Sequence, residues 1–302
     1  MATSGCGDVC SFRVRDRAPG RFYPLMRRNI QCPDVMRRMR QIAPGAFYPP
    51  PRFLPTSLMD EMTHHGQLPL RDVNFLPDND RRPREGALVV SEQMLGELTE
   101  RVWRGVPIMQ GAPVGAEMTL RRVLRGHRRH LEGAVVFTLG QKNPWVEAIL
   151  LAMNPRHVVS VEYQLPLHEI ATEHAQISGR SPAAAAAEWT LAGDAGTYNV
   201  GVAFFTVGQL GLGRYGEQLN PWADFEAMAQ AWCVTRTGGL FVLAVYYEQN
   251  DEYLVWNANR IYSAKLAQYL TANWEVVDVK RSDGELGVVQ RPGWAMWVLK
   301  KP

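Results

Sequence analysis

A glycine turn and an acidic residue follow two neighbouring apolar runs of this chain, and their types and spacing are suited to chemistry. Gly140 follows the run 134–137, and Glu162 follows the run 157–161. Backbone N–H groups at a turn that opens a helix suit a ligand carboxylate or phosphate. An acid about 20 residues further along is where α/β folds bind the two hydroxyls of a ribose. The pair therefore predicts a nucleoside site.

The glycine content of the turn narrows the class of ligand. A dinucleotide-binding loop needs three glycines, and this turn has one, so a pyrophosphate site is not expected. A nucleoside without a pyrophosphate, such as S-adenosylmethionine, fits better. The alternative is that Glu162 is a solvated acid at a strand end. The predicted cofactor-binding residues are Gly140, Gln141, Asn143, Pro144, Trp145, Glu162 and Thr206.

A second stretch, residues 206–224, is predicted to face the other reactant. Its four glycines make it a backbone-permissive loop. It follows the apolar run 199–206, and open α/β sheets bind ligands at the carboxyl ends of their strands. Arg214 and Tyr215 offer a fixed cation and a phenol there, and an arginine suits a carboxylate or phosphate. The alternative is that Arg214 only ties the loop to its own carbonyl groups.

The elements that must position these residues alternate between strands and helices. The run 134–137, a helix that starts at Pro144 and the run 157–161 predict a βαβ unit with parallel strands. A third strand is expected within 164–178, at a position that the pattern does not fix. Further strands are predicted at 199–206, 240–246, 274–279 and 294–299, with helices at 91–104, 119–131, 182–191, 221–233 and 261–270. This alternation predicts a doubly wound α/β sheet, with an antiparallel pair at one edge.

The N-terminal part of the chain differs in composition from the rest. Residues 1–52 hold ten arginines and three acids, and prolines are frequent. Residues 1–85 are therefore predicted to be a basic, partly irregular arm, with a short helix at 57–65 and a linker at 70–84, and residues 86–302 to be the α/β domain. The charge is compatible with nucleic acid, which is not favoured because no stacking aromatics alternate with the arginines.

Composition and cysteine usage exclude several classes of protein. The chain is 46% hydrophobic and 21% charged, with a net charge of +3, as in ordinary soluble globular proteins. No apolar run is long enough to span a membrane, and the N-terminus lacks the apolar segment of a secretory signal. The four cysteines are too few and too scattered for a disulfide framework, which favours a reducing, cytoplasmic location. No metal site is predicted.

Three separated motifs carry a resemblance to a known family. The segments GLGRYGEQLNPWADFEAM (211–228), WNANRIYSAKL (256–266) and GQKNPWVEAILLA (140–152) resemble the DUF268 family. The resemblance implies a Rossmann-like class I methyltransferase fold over about residues 130–300, with a mostly parallel seven-stranded sheet and an antiparallel edge strand. It also implies S-adenosylmethionine as the cofactor and a small-molecule or glycan acceptor. For such a methyltransferase, the predicted catalytic residues, which would form the acceptor pocket, are Arg214, Tyr215, Glu217, Asn257 and Arg260.

Two departures from the family pattern leave the activity open. Gln209 and Asn259 stand where the pattern has histidines. A histidine moves protons near neutral pH and an amide does not. One interpretation is a methyltransferase whose acceptor needs only positioning. The other is a catalytically degenerate protein that binds a ligand or partner on a methyltransferase scaffold. The sequence does not predict an oligomeric state.

Overall fold

A computed structural model describes residues 32–40, 50–75, 90–140, 143–163, 175–192, 196–282 and 292–302. Its helices are α1 (Cys32–Arg40), α2 (Thr56–Met62), α3 (Glu92–Trp103), α4 (Ala116–Gly126), α5 (Arg128–Leu131), α6 (Trp145–Leu151), α7 (Pro182–Ala192), α8 (Ala223–Val234) and α9 (Ala264–Leu270). Its strands are β1 (Leu70–Val73), β2 (Val135–Leu139), β3 (His157–Val161), β4 (Ile177–Arg180), β5 (Tyr198–Phe204), β6 (Thr235–Tyr247), β7 (Tyr253–Trp256), β8 (Asn259–Ile261), β9 (Glu275–Arg281) and β10 (Gly293–Lys300).

One seven-stranded sheet organises the chain. Its strand order is β4-β3-β2-β5-β6-β10-β9. The first five strands run parallel, and β10 is antiparallel to both β6 and the edge strand β9. From β2 the chain builds the sheet first toward β4 and then, from β5, toward the other side. This confirms the predicted doubly wound, Rossmann-like class I methyltransferase fold, and it puts a topological switch point between β2 and β5.

Both faces of the sheet are covered, because the central strands are apolar along their whole length. One hydrophobic core packs α3, α4 and α6 against one face, with Leu95, Leu120 and Ile149 fully buried. The other core packs α1, α7, α8 and α9 against the opposite face. Helix α3 begins where Ser91 caps it, since the Ser91 side chain accepts a hydrogen bond from the N–H of Met94. No described helix has both the length and the apolarity that crossing a bilayer requires.

The described parts of the N-terminal arm contain two helices and one strand. Helix α1 buries Val35, Met36 and Met39 in the same core as α7 and α8. The prediction of a linker at 70–84 is wrong for Leu70–Val73, since this segment forms β1 of a small three-stranded sheet, in the order β1-β7-β8. Sequence patterning missed this strand because its partner lies more than 180 residues away. The division of the chain at residue 85 stays a prediction.

The cysteines, which were not expected to form a disulfide framework, do form one disulfide. Cys32 at the start of α1 is bonded to Cys233 near the end of α8, with the two Cα atoms 5.5 Å apart. Because 201 residues separate these cysteines, their spacing in the sequence gave no sign of a pair. Disulfides are typical of oxidising compartments, so the cysteine argument no longer supports the cytoplasmic location, which stays a prediction.

We predict that this disulfide holds the arm on the domain. Replacing Cys32 and Cys233 with serine removes a closed loop of about 200 residues, for which the chain-entropy model expects a loss of roughly 5 kcal/mol in the free energy of unfolding. Urea denaturation with and without a phosphine reductant measures it. The double variant is the control, because it should not respond to the reductant. Identical denaturation curves for the oxidised and reduced protein would contradict the prediction.

Candidate functional site

A cavity of about 250 Å³ opens at the switch point, at the carboxyl ends of β2 and β5. Three parts of the chain line it: the loop 109–113, the residues Gly140, Asn143 and Trp145, and the end of β5 with the segment that follows it. Tyr246 of β6 also lines it. Five residues predicted from the sequence lie in its wall, together with Gln209. They are Gly140, Asn143, Trp145, Thr206 and Tyr215. The predicted Gln141 lies outside the described residues, and Pro144 is buried as the N-cap residue of α6.

The glycine turn and the predicted ribose acid lie next to each other. The N–H of Gly140 donates to the carbonyl of Val161 (2.7 Å), which extends the pairing of β2 and β3 by one residue. Glu162 follows directly, is only 3% exposed, and donates its own N–H to the carbonyl of Arg180 (3.0 Å). The two residues therefore end adjacent strands at the same edge. The N–H of Gly140 itself is used within the sheet and is not a donor to a ligand.

Only glycine fits at position 140. Its φ is +61°, a conformation that side chains disfavour. A Cβ atom there would lie 2.2 Å from Cγ2 of Thr206. The hydroxyl of Thr206 also donates to the carbonyl of Gly140 (2.7 Å), so the ends of β2 and β5 are joined side chain to backbone. This contact fixes one wall of the cavity.

A buried carboxyl group fixes the helix after the turn. Glu147 in the first turn of α6 is 2% exposed, and its Oε1 accepts hydrogen bonds from the hydroxyls of Thr138 (2.5 Å) and Ser160 (2.9 Å). Its Oε2 has no hydrogen-bond partner among the described residues. Burial raises the pKa of Glu147, and the two hydroxyls oppose this only in part. The residue therefore ties α6 to β2 and β3 and has no contact with the cavity wall.

Tyr215 of the loop 206–224 lines the cavity, whereas Arg214 of the same loop is hydrogen-bonded to main-chain carbonyl groups. Arg214 donates to the carbonyls of Asn257 (2.8 Å) and Asn74 (3.1 Å), which lie outside the loop and not within it as the structural alternative expected. The carboxylate of Glu217 accepts the N–H of Tyr215 (2.9 Å), and desolvation raises the pKa of Glu217. Burial raises the pKa of Tyr215, and the nearby charge of Glu162 adds to the effect. Tyr215 thus lies close to the predicted ribose acid.

Asn257 and Arg260 lie behind the loop and do not line the cavity. The amide of Asn257 donates to the carbonyl of Leu212 (3.1 Å). The guanidinium of Arg260 is fully buried and donates to the carbonyls of Leu210 (2.7 Å) and Pro221 (3.1 Å). In this structure both residues hold the backbone of the loop. Their predicted contact with an acceptor stays a prediction.

A buried histidine completes the support of the loop. Nε2 of His64 lies 3.3 Å from the carbonyl oxygen of Pro221, and its ring stacks on Trp222 with the centroids 4.7 Å apart. Burial is the largest cause that lowers the pKa of His64, to about 4, and the charge of Asp224 opposes this. The histidine is therefore neutral at pH 7, and its ring packs in the interior of the protein.

Sequence reasoning missed the loop 109–113, which forms the opposite wall of the cavity. The carboxylate of Glu117 accepts the N–H groups of Met109 (2.8 Å) and Ile108 (3.0 Å). Arg121 is fully buried, pairs with Glu117 and donates to the carbonyl of Val106 (2.8 Å). An acid and an arginine four residues apart on an otherwise apolar helix face are the signal that could have revealed this support.

It also missed the aromatic side of the cavity. Phe204, Phe205 and Tyr246 line it from the ends of β5 and β6. The pattern Phe-Phe-Thr at the end of a buried strand indicated packing, and nothing in the sequence indicates that Tyr246 comes alongside.

We predict that Glu147 makes the stability of the protein fall as pH rises. Its pKa is raised above the unfolded value of 4.5 by burial, so the folded state binds the proton more tightly. From about pH 4.5 up to the folded pKa, the free energy of unfolding should fall by up to about 1.4 kcal/mol per pH unit. Glu147→Gln should lack this slope in urea denaturation at a series of pH values. The exposed Glu100→Gln is the control, and equal slopes for wild type and Glu147→Gln would contradict the prediction.

We predict the opposite pH dependence for His64. Because its folded pKa is about 4 and its unfolded value is 6.5, the unfolded chain takes up a proton first as pH falls. The free energy of unfolding should decrease by about 3 kcal/mol between pH 6.5 and 4. His64→Asn should show a smaller decrease over the same range, whatever its stability at pH 7. A decrease as large as that of the wild type would show that His64 titrates normally.

Three comparisons with known proteins bear on this site. No curated protein matches the chain. Among solved structures, a Burkholderia thailandensis 1,6-didemethyltoxoflavin-N1-methyltransferase with bound 1,6-didemethyltoxoflavin and S-adenosylhomocysteine superposes with a TM-score of 0.48 at 14% identity, over 77% of this chain and 100% of that chain. An S-adenosylmethionine-dependent methyltransferase from Mesorhizobium loti gives 0.40 at 9% identity, over 62% and 99% of the two chains.

The family model described as "Caenorhabditis protein of unknown function, DUF268" matches residues 132–288. This range runs from the residues before β2 into the segment after β9, and it contains the glycine turn, Glu162 and the loop 206–224. It is more than half of the chain. The chain belongs to the DUF268 family.

Proposed function

We propose that this protein binds S-adenosylmethionine at the switch point and transfers its methyl group to a small-molecule or glycan acceptor. The observation that carries the proposal is the adjacency of Gly140 and Glu162 at the ends of paired parallel strands, beside an open cavity. A carboxylate at the end of the strand next to a glycine turn is suited to the two hydroxyls of a ribose. The fold of the chain agrees with this role.

The residues of the cavity fit the cofactor. Its described lining carries no formal charge and includes the aromatic residues Trp145 and Tyr215. Aromatic faces attract a desolvated cation, whereas a lysine or arginine in the wall would repel one. Bound S-adenosylmethionine supplies an electrophilic methyl group on a positively charged sulfur.

The roles of the chain's own residues follow from their positions. Glu162 accepts hydrogen bonds from the ribose hydroxyls; it is not among the residues that line the cavity, but its charge acts on Tyr215, which is. Gly140 lets the backbone approach, while Asn143, Pro144, Trp145 and Thr206 shape the opening between β2 and β5; Gln141 is assigned to the cofactor on its sequence position alone. Arg214, Glu217, Asn257 and Arg260 act as positioning residues that hold Tyr215 and its loop.

A binding protein without turnover is the second candidate, and one observation favours it. Gln209 lies in the cavity wall, and no described lining residue has a side chain that titrates near neutral pH. A reaction that needs a general base therefore finds none among the described residues of this wall. Methyl transfer stays chemically feasible for an acceptor that already carries a nucleophilic lone pair. The two candidates differ in whether a labelled methyl group is transferred in a cell extract. An enzyme should transfer it and should lose this transfer in Glu162→Ala, whereas a binding protein should transfer none.

We predict that Glu162→Gln weakens binding of S-adenosylhomocysteine at least tenfold, which is a loss of about 1.4 kcal/mol. The charged carboxylate accepts from both ribose hydroxyls, and an amide offers only one accepting oxygen. Isothermal titration calorimetry measures the dissociation constants. Glu100→Gln, an exposed acid on α3, is the matched control and should bind like the wild type. An absence of heat at millimolar ligand, or equal binding by Glu162→Gln, would overturn the proposal.

A further inference from the structure

The side of the cavity at the ends of β5 and β6 is a packed aromatic wall. Phe204 and Phe205 meet edge to face with their ring centroids 4.7 Å apart, and Phe205 and Tyr246 are 4.9 Å apart. The two phenylalanines are 8% and 7% exposed. Each ring is therefore held by its neighbour.

Phe205 is held in a strained backbone conformation. Its φ is +60°, in the left-handed region that bulky side chains rarely adopt. Its N–H donates to the carbonyl of Ala244 (2.9 Å), which anchors the strained residue to β6. A glycine or asparagine would adopt this conformation more readily, so packing of the ring must offset the strain. Strain of this kind is concentrated at ligand sites.

The polar groups and the charge of the described lining indicate which kind of acceptor fits the cavity. Its polar groups are amides and hydroxyls, from Gln110, Asn143, Thr206 and Gln209 and from the two tyrosines, and none is charged at pH 7. An anionic acceptor would lose its hydration without gaining a cation, which is costly. A sugar would bring many hydroxyls against rings that cannot accept them well. A flat neutral ring stacks on aromatic faces and needs hydrogen bonds only at its edge.

The strand order decides which reactant occupies this wall. Strand β2 lies between β3, which ends at Glu162, and β5, which ends at the two phenylalanines. A cofactor that reaches from Gly140 toward Glu162 occupies the β3 side. The β5 and β6 side, with Phe205 and Tyr246, is left for the acceptor.

We propose that the methyl acceptor is a neutral, planar nitrogen heteroaromatic small molecule that stacks against Phe205 and Tyr246, with its polar edge toward Gln209. This inference rests on the proposed function and narrows its acceptor. A ring nitrogen suits a wall without a general base, because its lone pair forms the new N–C bond while the electron pair of the broken C–S bond stays on sulfur. Any hydrogen on that nitrogen is lost to water.

The inference is tested by measuring how defined probes bind to the protein saturated with S-adenosylhomocysteine. Theophylline and lumichrome are neutral planar heteroaromatics, and adenosine 5′-monophosphate and sucrose are the charged and polyol comparisons. We expect calorimetry to detect theophylline or lumichrome at submillimolar concentration, and neither comparison compound. Tyr246→Leu should weaken binding of the planar probe at least tenfold and leave the affinity for S-adenosylhomocysteine unchanged, whereas Tyr246→Phe should keep both affinities.

Phe53→Leu, at a ring that is 71% exposed and outside the cavity wall, is the control and should change neither affinity. Phe205→Asn, which relieves the backbone strain and removes the ring, should weaken the planar probe even if it stabilises the fold. Binding of sucrose or the nucleotide as tightly as the planar probes, or unchanged probe binding in Tyr246→Leu, would overturn the inference. If S-adenosylhomocysteine binds and no planar probe does, only this inference fails. If S-adenosylhomocysteine does not bind at all, the proposed function fails.

Discussion

Parallel pairing of β2 with β3 on one side and β5 on the other is the constraint on which the candidate site depends. The registers Leu139–Val161 and Thr138–Val202 bring the carboxyl ends of the three strands to one edge. Gly140 then extends one ladder, and the Thr206 hydroxyl reaches across to its carbonyl. A shift of one residue in either register would turn each side chain to the other face of the sheet. The acid, the glycine turn and the cavity would no longer meet.

Buried polar groups hold the irregular segments around that edge. Glu117 and Arg121 together satisfy N–H and carbonyl groups of the segment that leads into the loop 109–113. Arg260 does the same for the loop 206–224, and Glu147 fixes α6. A buried ion pair often adds little net stability, because desolvation offsets the attraction. Its contribution here is conformational, since each group is matched to particular backbone atoms.

Most of the element order was predictable from the sequence, because most strands of the central sheet contain apolar runs and several helices have their own start signals. Strand β4 (Ile177–Arg180) lacks such a run, so the pattern did not fix its position. Glu162 was predictable, since its place depends on two consecutive strands. The pairing of β1 with β7, the disulfide of Cys32 with Cys233 and the approach of Tyr246 to Phe205 were not. Each joins residues far apart in the chain, and local pattern carries no information on such contacts.

The roles of individual arginines were harder to predict from the sequence than the order of the elements. Arg214 and Arg260 have the right chemistry for a ligand, yet in the structure both donate to main-chain carbonyls of or beside the same glycine-rich loop. A flexible loop exposes many carbonyl groups that need donors, and an arginine with five N–H groups can satisfy several. Residue type alone does not tell this use from ligand binding.

The central claim is that an adenosyl group sits between the glycine turn and the acid at the end of β3. A crystal structure of the protein grown with S-adenosylhomocysteine tests it most directly. We predict density for a ribose whose two hydroxyls lie within hydrogen-bond distance of the Glu162 carboxylate, with the sulfur near Gly140 and Thr206. A ligand bound elsewhere, or density for a ribose without contact to Glu162, would contradict the account.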